Sequence, residues 1–243
     1  MSYFSTIELS RAFGGVTAVD RASISIQQGR INALIGPNGC GKTTFFNLIT
    51  GMIPADEGQV VFKGRNLEGA RPHQVALAGI GRTFQITRIF PRMTVMQNML
   101  VAVRHSGIRE LMANAVGGRD VERAEMWLER LGIEHLRDSE ARDLSYGQQK
   151  LLELGALLMA DPELILLDEP AGGVNPVMIE KISQLVRDLN GEGKTFLIVE
   201  HNMELIMSLC HHVIVFERGT QVAEGTPDEV RANPRVLEAY LGE

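Results

Sequence analysis

Residues 36–44 read GPNGCGKTT and place glycine, lysine and threonine at the spacing G-x-x-x-x-G-K-[ST]. Glycines let a backbone wrap phosphate oxygens, and loop N–H groups followed by a helix N-terminus favour that negative charge. Gly36, Pro37, Asn38, Gly39, Cys40 and Gly41 would form the cradle. Lys42 would bring a cation to the β- and γ-phosphates of a nucleotide, and Thr43 a hydroxyl to Mg2+. Cys40 could act as a redox switch, or could be a small residue at a permissive position.

Further along, LILLDE at 164–169 puts two carboxylates at the end of an apolar run. Asp168 would hold Mg2+, directly or through water. Glu169, directed the other way along a strand, would be the general base for an attacking water. Taken alone, the same residues could be a strand end with solvated acids. His201 closes TFLIVEH at 195–201 and could contact a γ-phosphate, or be structural; Gln85 in GRTFQ could reach the metal or water, or be an ordinary polar residue. LSYGQQK at 144–150 offers a capping box, with Ser145 and Gln148 satisfying the first N–H groups of a helix. Such an N-terminus is also an anion site.

The elements that must position these residues alternate between strand and helix patterns. INALIG at 31–36 reads as a buried strand and KTTFFNLITG at 42–51 as a helix stopped by Gly51, so the glycine-rich loop has the flanks its chemistry needs. ASISIQQ at 22–28 alternates like a half-buried strand, and GQVVFK at 58–63 suits another. ELILLD at 163–168 and TFLIVE at 195–200 are apolar runs expected inside a mainly parallel sheet. Between them PVMIEKISQLVRDLN at 176–190 lines Ile179, Ile182, Leu185, Val186 and Leu189 on one face, with Asn175 as N-cap, Pro176 first and Gly191 as stop. This strand–helix–strand unit predicts an α/β fold. From Ile86 to Leu144 the pattern is helical and less regular, clearest in RAEMWLERLG at 123–132. TPDE at 226–229 is a second capping box, and NPRVLEAYL at 233–241 suits a closing helix.

Composition narrows the function classes. The 243 residues suit one domain, or one domain with a subdomain. A net charge of −6 argues against a nucleic-acid surface. Two cysteines, Cys40 and Cys210, are too few for a disulfide framework, and suggest a reducing compartment. MSYFSTIELSRAFGG lacks the regions of a signal peptide, and no apolar run reaches the roughly 18 residues of a membrane span. Work at a membrane would therefore need docking onto another protein.

The ordered motifs GPNGCGKTT, RTFQ, LSYGQ, LILLDEP, GGVNP and IVEH resemble the ATP-binding cassette family of transporter ATPases along essentially the whole chain. The resemblance implies a single cassette over 1–243, with a phosphate-loop-type, mainly parallel sheet flanked by helices. It also implies an antiparallel β portion near the N-terminus and an α-helical subdomain over about 86–160. ATP and Mg2+ are the implied cofactors. Phe13 resembles the aromatic that stacks on adenine, and Gly36 to Thr44 the phosphate loop. Gln85 resembles the residue that links Mg2+ and water to the helical subdomain. Asp168 and Glu169 become the metal and base carboxylates, Lys42 the phosphate cation, and His201 the γ-phosphate sensor. LSYGQ resembles the family signature, whose Ser145, Gly147 and Gln148 would face the nucleotide of a second subunit, with Ser145 and Gly147 touching its γ-phosphate. Tyr146 departs from the glycine of the commonest signature, and Asn175 from an aspartate common after the base.

A finer resemblance is to the ATPase subunits of branched-chain amino acid importers, carried by RTFQ, LSYGQQ, the FGG after the first strand and EAYLG near the end. Cassettes for urea, amides or lipopolysaccharide export are built similarly, and a soluble non-transport cassette is a further alternative. The implied partners are transmembrane permease subunits, an identical or sister ATPase, and indirectly a substrate-binding protein; no nucleic acid is implied. The implied location is the cytoplasmic face of the inner or plasma membrane. Ile89, Phe90, Met93, Val95, Met96 and Met99 suit subdomain core, and Ile89 to Met96 would also contribute to a permease-docking groove.

Overall fold

The computed structural model describes residues 3–103 and 117–236. Their packing divides them into two compact units, one within 1–82, 163–169 and 186–243, the other within 83–162 and 170–185.

The first unit holds both sheets. One is antiparallel and built from β1 (Phe4–Phe13), β2 (Val16–Ala22), β3 (Ser25–Ile26), β5 (Glu57–Phe62) and β6 (Arg65–Asn66). The other has the order β11 (Thr220–Gly225), β10 (His212–Glu217), β4 (Ile31–Ile35), β9 (Thr195–Val199), β8 (Leu164–Asp168), β7 (Ile80–Arg82). All its pairings are parallel except that of β10 with β11. Every residue of β4, β8 and β9 is buried, as expected of apolar runs covered on both faces. Helix α1 (Lys42–Ile49) contributes Phe45 and Phe46 to the core, with Phe45 edge-on to Phe216 at 5.3 Å. Also in this unit are α2 (Pro72–Ala78), α7 (Met203–Leu209) and α8 (Pro227–Arg231).

The strand expected over 22–28 is reduced to the two residues of β3, although Ala22, Ile24 and Ile26 are buried in alternation. Glu8 and Arg21 both carry positive φ, and the ladder breaks there. Side chains replace it: the Thr6 hydroxyl donates to Ala22 O and accepts from Ile24 N–H, and Ser23 Oγ accepts from Glu8 N–H.

The second unit is mainly helical, with α3 (Val95–Val101), α4 (Gly118–Leu131) and α5 (Tyr146–Met159). Helix α4 begins five residues before the periodic run at 123, because Gly117 N–H is satisfied by Asp120 Oδ2 at 3.2 Å. It buries Ala124, Trp127, Leu128 and Leu131, one helical face. Gly155 of α5 sits where an added methyl would lie 2.6 Å from Leu131 and 3.1 Å from Met99, so glycine sets the closeness of the three helices. Helix α6 (Pro176–Gly191) starts in this unit, with Asn175 Oδ1 accepting from Met178 N–H at 2.9 Å as the expected N-cap. The helix expected over 233–241 has begun by residue 234, while 237–243, with the EAYLG segment, lie outside the described residues.

Candidate nucleotide site

The phosphate loop follows β4 in the first unit. Gly36 is required by space: an added Cβ would meet Phe216 O at 2.1 Å. Gly41, at φ 105° and with an added Cβ 2.2 Å from Ala18 O, could carry no side chain either. The turn after β10 braces the loop, with Gly219 N–H donating to Cys40 O and Gly219 O accepting from Asp20 N–H. Lys42 Nζ donates to Gly36 O at 2.6 Å and to Pro37 O at 2.9 Å. Helix α1 has no side-chain N-cap and no acidic residue in its first turn, which suits an anion. Asn38 and Gly39 are exposed on this loop, and Thr43 is exposed in the first turn of α1, followed by Thr44. Cys40 is buried, and that burial pushes its thiol pKa up despite nearby Lys42.

Strands β4, β9 and β8 are adjacent and parallel, so their C-terminal ends share one edge. That edge brings together the phosphate loop, His201, Asp168 and Glu169. Asp168 is buried, and its Oδ2 accepts from Arg82 Nη2 at 2.8 Å, with side-chain exposures of 3% and 6%. Arg82 also donates through Nη1 to Asn47 Oδ1 at 2.7 Å and Thr50 Oγ1 at 3.3 Å, and its guanidinium lies 5.3 Å from the Phe46 ring. One cation thus ties Asp168 to α1. Glu169 lies beyond the end of β8, at φ 49°, with its N–H donating to Val199 O. Strand alternation therefore does not govern its direction, as it was expected to. On the neighbouring strand end, buried Glu200 accepts from His201 N–H and Asn202 N–H through Oε2, and His201 is exposed.

Phe13 ends β1 at 47% exposure, beside the Gly14–Gly15 turn, with the Arg11 guanidinium 4.9 Å from its ring. Asp56 holds that arginine at 2.6 Å. The hard oxygen donors here, the Thr43 hydroxyl and Asp168 carboxylate, fit Mg2+, which takes few protein ligands and completes its shell with phosphates and water. Among the described residues no group of three or more His, Cys, Asp and Glu could hold a metal unaided.

The other expected site residues belong to the second unit. Ser145 is the N-cap of α5, and the capping box is present: Ser145 N–H donates to Gln148 Oε1 at 2.8 Å, and Ser145 Oγ accepts from Gln148 N–H. Gly147 lies against Met178, where a Cβ would be 3.1 Å from the thioether methyl. Gln85 is exposed and its carbonyl accepts from the Tyr146 hydroxyl. Val95, Met96 and Met99 are core, so within residues 86–96 the apolar surface reduces to Ile86 (81% exposed), Phe90 (53%) and half-buried Ile89 and Met93.

Arg82 and Glu200 were not singled out in the sequence, although both stand inside quoted motifs, GRTFQ and IVEH. Their partners, Asp168 and the backbone of residues 201–202, are what give them a place in the site.

A phosphate loop between a buried strand and an uncapped helix, with acids at neighbouring strand ends, defines a nucleotide-binding α/β protein. The chain belongs to the ABC transporter family, whose profile matches residues 19–172, and whose ATP-binding members are ATPases coupled to transport. A second profile, that of the branched-chain amino acid ATP-binding cassette transporter, matches residues 220–243. The chain is 41% identical over 249 residues to the probable branched-chain amino acid transport ATP-binding protein LivG of Archaeoglobus fulgidus, covering 100% of this chain and 96% of that one. It is 40% identical to the LivG of Salmonella typhimurium described as high-affinity, covering 97% and 96%. Among solved structures it resembles an ABC transporter cassette in its ADP conformation, with a TM-score of 0.89, 37% identity and full coverage of both chains. No described helix is long and apolar enough to cross a membrane.

Proposed function

We propose that this chain is the ATP-hydrolysing subunit of an importer for branched-chain amino acids, bound peripherally at the cytoplasmic face through permease subunits. The observation that supports the substrate class is the match of residues 220–243 to the branched-chain profile, added to likeness to LivG proteins along the whole chain. The exposed side chains of Ile86 and Phe90, with Ile89 and Met93, are the surface assigned to the permease; the buried Val95 and Met96 are not. The second unit serves as the helical subdomain.

In this reading Phe13 stacks on adenine, and the loop from Gly36 to Thr44 with the start of α1 holds the phosphates. Lys42 exchanges carbonyl partners for β- and γ-phosphate oxygens. Mg2+ would be held by Thr43 and Asp168 and would offset the phosphate charge; for Gln85 the family resemblance implies the link from metal and water to the helical subdomain. Glu169 orients a water and accepts its proton as the water oxygen attacks the γ-phosphorus in line with the departing ADP oxygen. His201, exposed at the next strand end, contacts the γ-phosphate. Ser145, Gly147 and Gln148 present the α5 N-terminus to the nucleotide of a second subunit, identical or sister, so that each pair of chains forms two composite sites.

The test is reconstitution of this chain with its permeases in vesicles with a binding protein. Leucine, isoleucine or valine should stimulate phosphate release, and urea or short amides should not. Stimulation by urea alone would replace the substrate class. ATPase activity insensitive to any permease would remove the transport role.

A further inference from the structure

Residues 83–93 belong to no helix or strand, yet they carry Gln85. Backbone donors in such a segment need partners from elsewhere: Phe90 N–H finds Asn98 Oδ1 of α3 at 2.7 Å, and α5 supplies the partner of two others. Glu153 of α5 is buried, at 8% exposure, and its Oε1 accepts from Phe84 N–H at 3.3 Å and from Arg88 N–H at 3.0 Å. Two amides on either side of Gln85 thus converge on one carboxylate oxygen. The Arg88 guanidinium lies 3.7 Å from the Phe84 ring, which closes the segment on itself. Two turns earlier on the same face of α5, the Tyr146 hydroxyl donates to Gln85 O at 3.3 Å. Lys150, between them, places its ammonium 5.4 Å from the Tyr146 ring.

Tyr146 does one thing more. Its ring edge lies where a Cβ on Gly173 would approach within 3.1 Å, so the ring packs on the glycine turn of the AGGVNP segment. Gly173 has φ 71°, a backbone that favours glycine on its own account. A glycine at position 146 could make neither contact.

We propose that Tyr146 and Glu153 are positioning residues that lash the Gln85 segment, and through Tyr146 the Gly173 turn, to the helix that begins at Ser145. The catalytic consequence rests on the proposed roles of Gln85 and Ser145. Three segments of the second unit would then be displaced together rather than one by one. Tyr146, the departure from the common signature, adds the bond and the packing that make the linkage three-way.

The test is amide hydrogen exchange on the intact, nucleotide-free chain. In Glu153→Leu, the peptide spanning 83–90 should exchange about tenfold faster, because two bonds are lost. In Glu153→Gln, which keeps an acceptor, it should stay within about twofold of wild type. Tyr146→Phe removes one exposed hydroxyl and leaves the helix intact; it should speed exchange there about two- to fivefold. It should also lower kcat while leaving KM for ATP unchanged. Unchanged exchange at 83–90 in Tyr146→Phe, or equal acceleration in Glu153→Gln and Glu153→Leu, would overturn the linkage. The underlying reading fails separately: Gln85→Ala hydrolysing ATP at the wild-type rate would remove the role of Gln85 while the exchange pattern stood.

Discussion

The most exacting test of the site is removal of the cation that holds Asp168. Arg82 and Asp168 are 6% and 3% exposed and meet at 2.8 Å, so neither charge has water as an adequate alternative. In Arg82→Met an apolar chain stays in place, while the guanidinium and its contact with the Phe46 ring are lost. Asp168 is then a buried carboxylate without its cation, and Asn47 and Thr50 lose a donor. Breaking one side of a buried pair costs about 3–5 kcal/mol. At roughly 2–4 °C per kcal/mol for a chain of this size, the melting temperature should fall by about 6–20 °C. Circular dichroism melting of the nucleotide-free chain measures it.

The double variant Arg82→Met with Asp168→Leu separates pairing from packing. Replacing both partners by apolar groups is often neutral, so the double should recover much of the loss, with a coupling of about 1–3 kcal/mol. Arg82→Lys keeps the charge but cannot reach Asp168, Asn47 and Thr50 from one planar fork, and should fall in between. The contribution of Mg2+ to ATP affinity should also shrink in Arg82→Met. A melting temperature within about 2 °C of wild type, or a double equal to the sum of the singles, would refute a structural pair.

Glu169→Gln should bind ATP, release phosphate very slowly and accumulate as a nucleotide-bound dimer by size exclusion; near-normal turnover would remove Glu169 as the base. Burial raises the Glu153 pKa above the ordinary carboxylate value, outweighing its two amide donors and the charges of Lys150 and Arg88. The native state therefore holds the proton more tightly than the unfolded chain. Glu153 disfavours folding most at neutral pH, and this cost fades as pH falls through its folded and then its unfolded pKa. Glu153→Gln should accordingly melt no lower than wild type at pH 8, and lose any advantage toward pH 4, in a pH series of thermal melts. Cys40 and Cys210 are both buried with thiol pKa values pushed up, Cys210 to about 12 by burial and the nearby Glu200 charge. Both should alkylate slowly at pH 7.5 in the folded chain and rapidly in urea; fast native labelling of Cys40 would revive a redox role.

The sheet core was legible because its inner strands must be apolar on both faces, so INALI, LILLD and TFLIV announce themselves. β7 did not, since GIGR supplies only three paired residues and two glycines. Nor did β10 and β11, although HVIVFE is strand-like. The phosphate loop was legible because its chemistry is local to nine residues. Arg82 was not, because its meaning is a contact 86 residues away, with Asp168. The same holds for Tyr146: as a residue type it only departed from glycine, and its partners at Gln85 and Gly173 are fixed by folding.

Three acids, Asp168, Glu169 and Glu200, stand at two adjacent strand ends, and no pattern of residue types separates them. Backbone and partner do. Asp168 still belongs to the strand, so its carboxylate is directed inward and must be compensated there, which Arg82 does. Glu200 turns its carboxylate onto the two amides that follow it, so its charge stabilises the chain's exit from β9 and leaves His201 outward. Glu169 sits in the left-handed region, at a cost of about 1–3 kcal/mol for a non-glycine residue, held there by its N–H bond to Val199 O. That turn takes the second residue of the DE pair out of the pleat. In a continued strand the second acid would face the other covered side of the sheet, where an ionised carboxylate would again need a cation. The strained turn gives them different environments instead: one carboxylate locked by a fixed cation, the other half-exposed where a water could meet it. Relieving that strain with Glu169→Gly would keep the turn and remove the proposed base, so it is the turn that separates the two carboxylates.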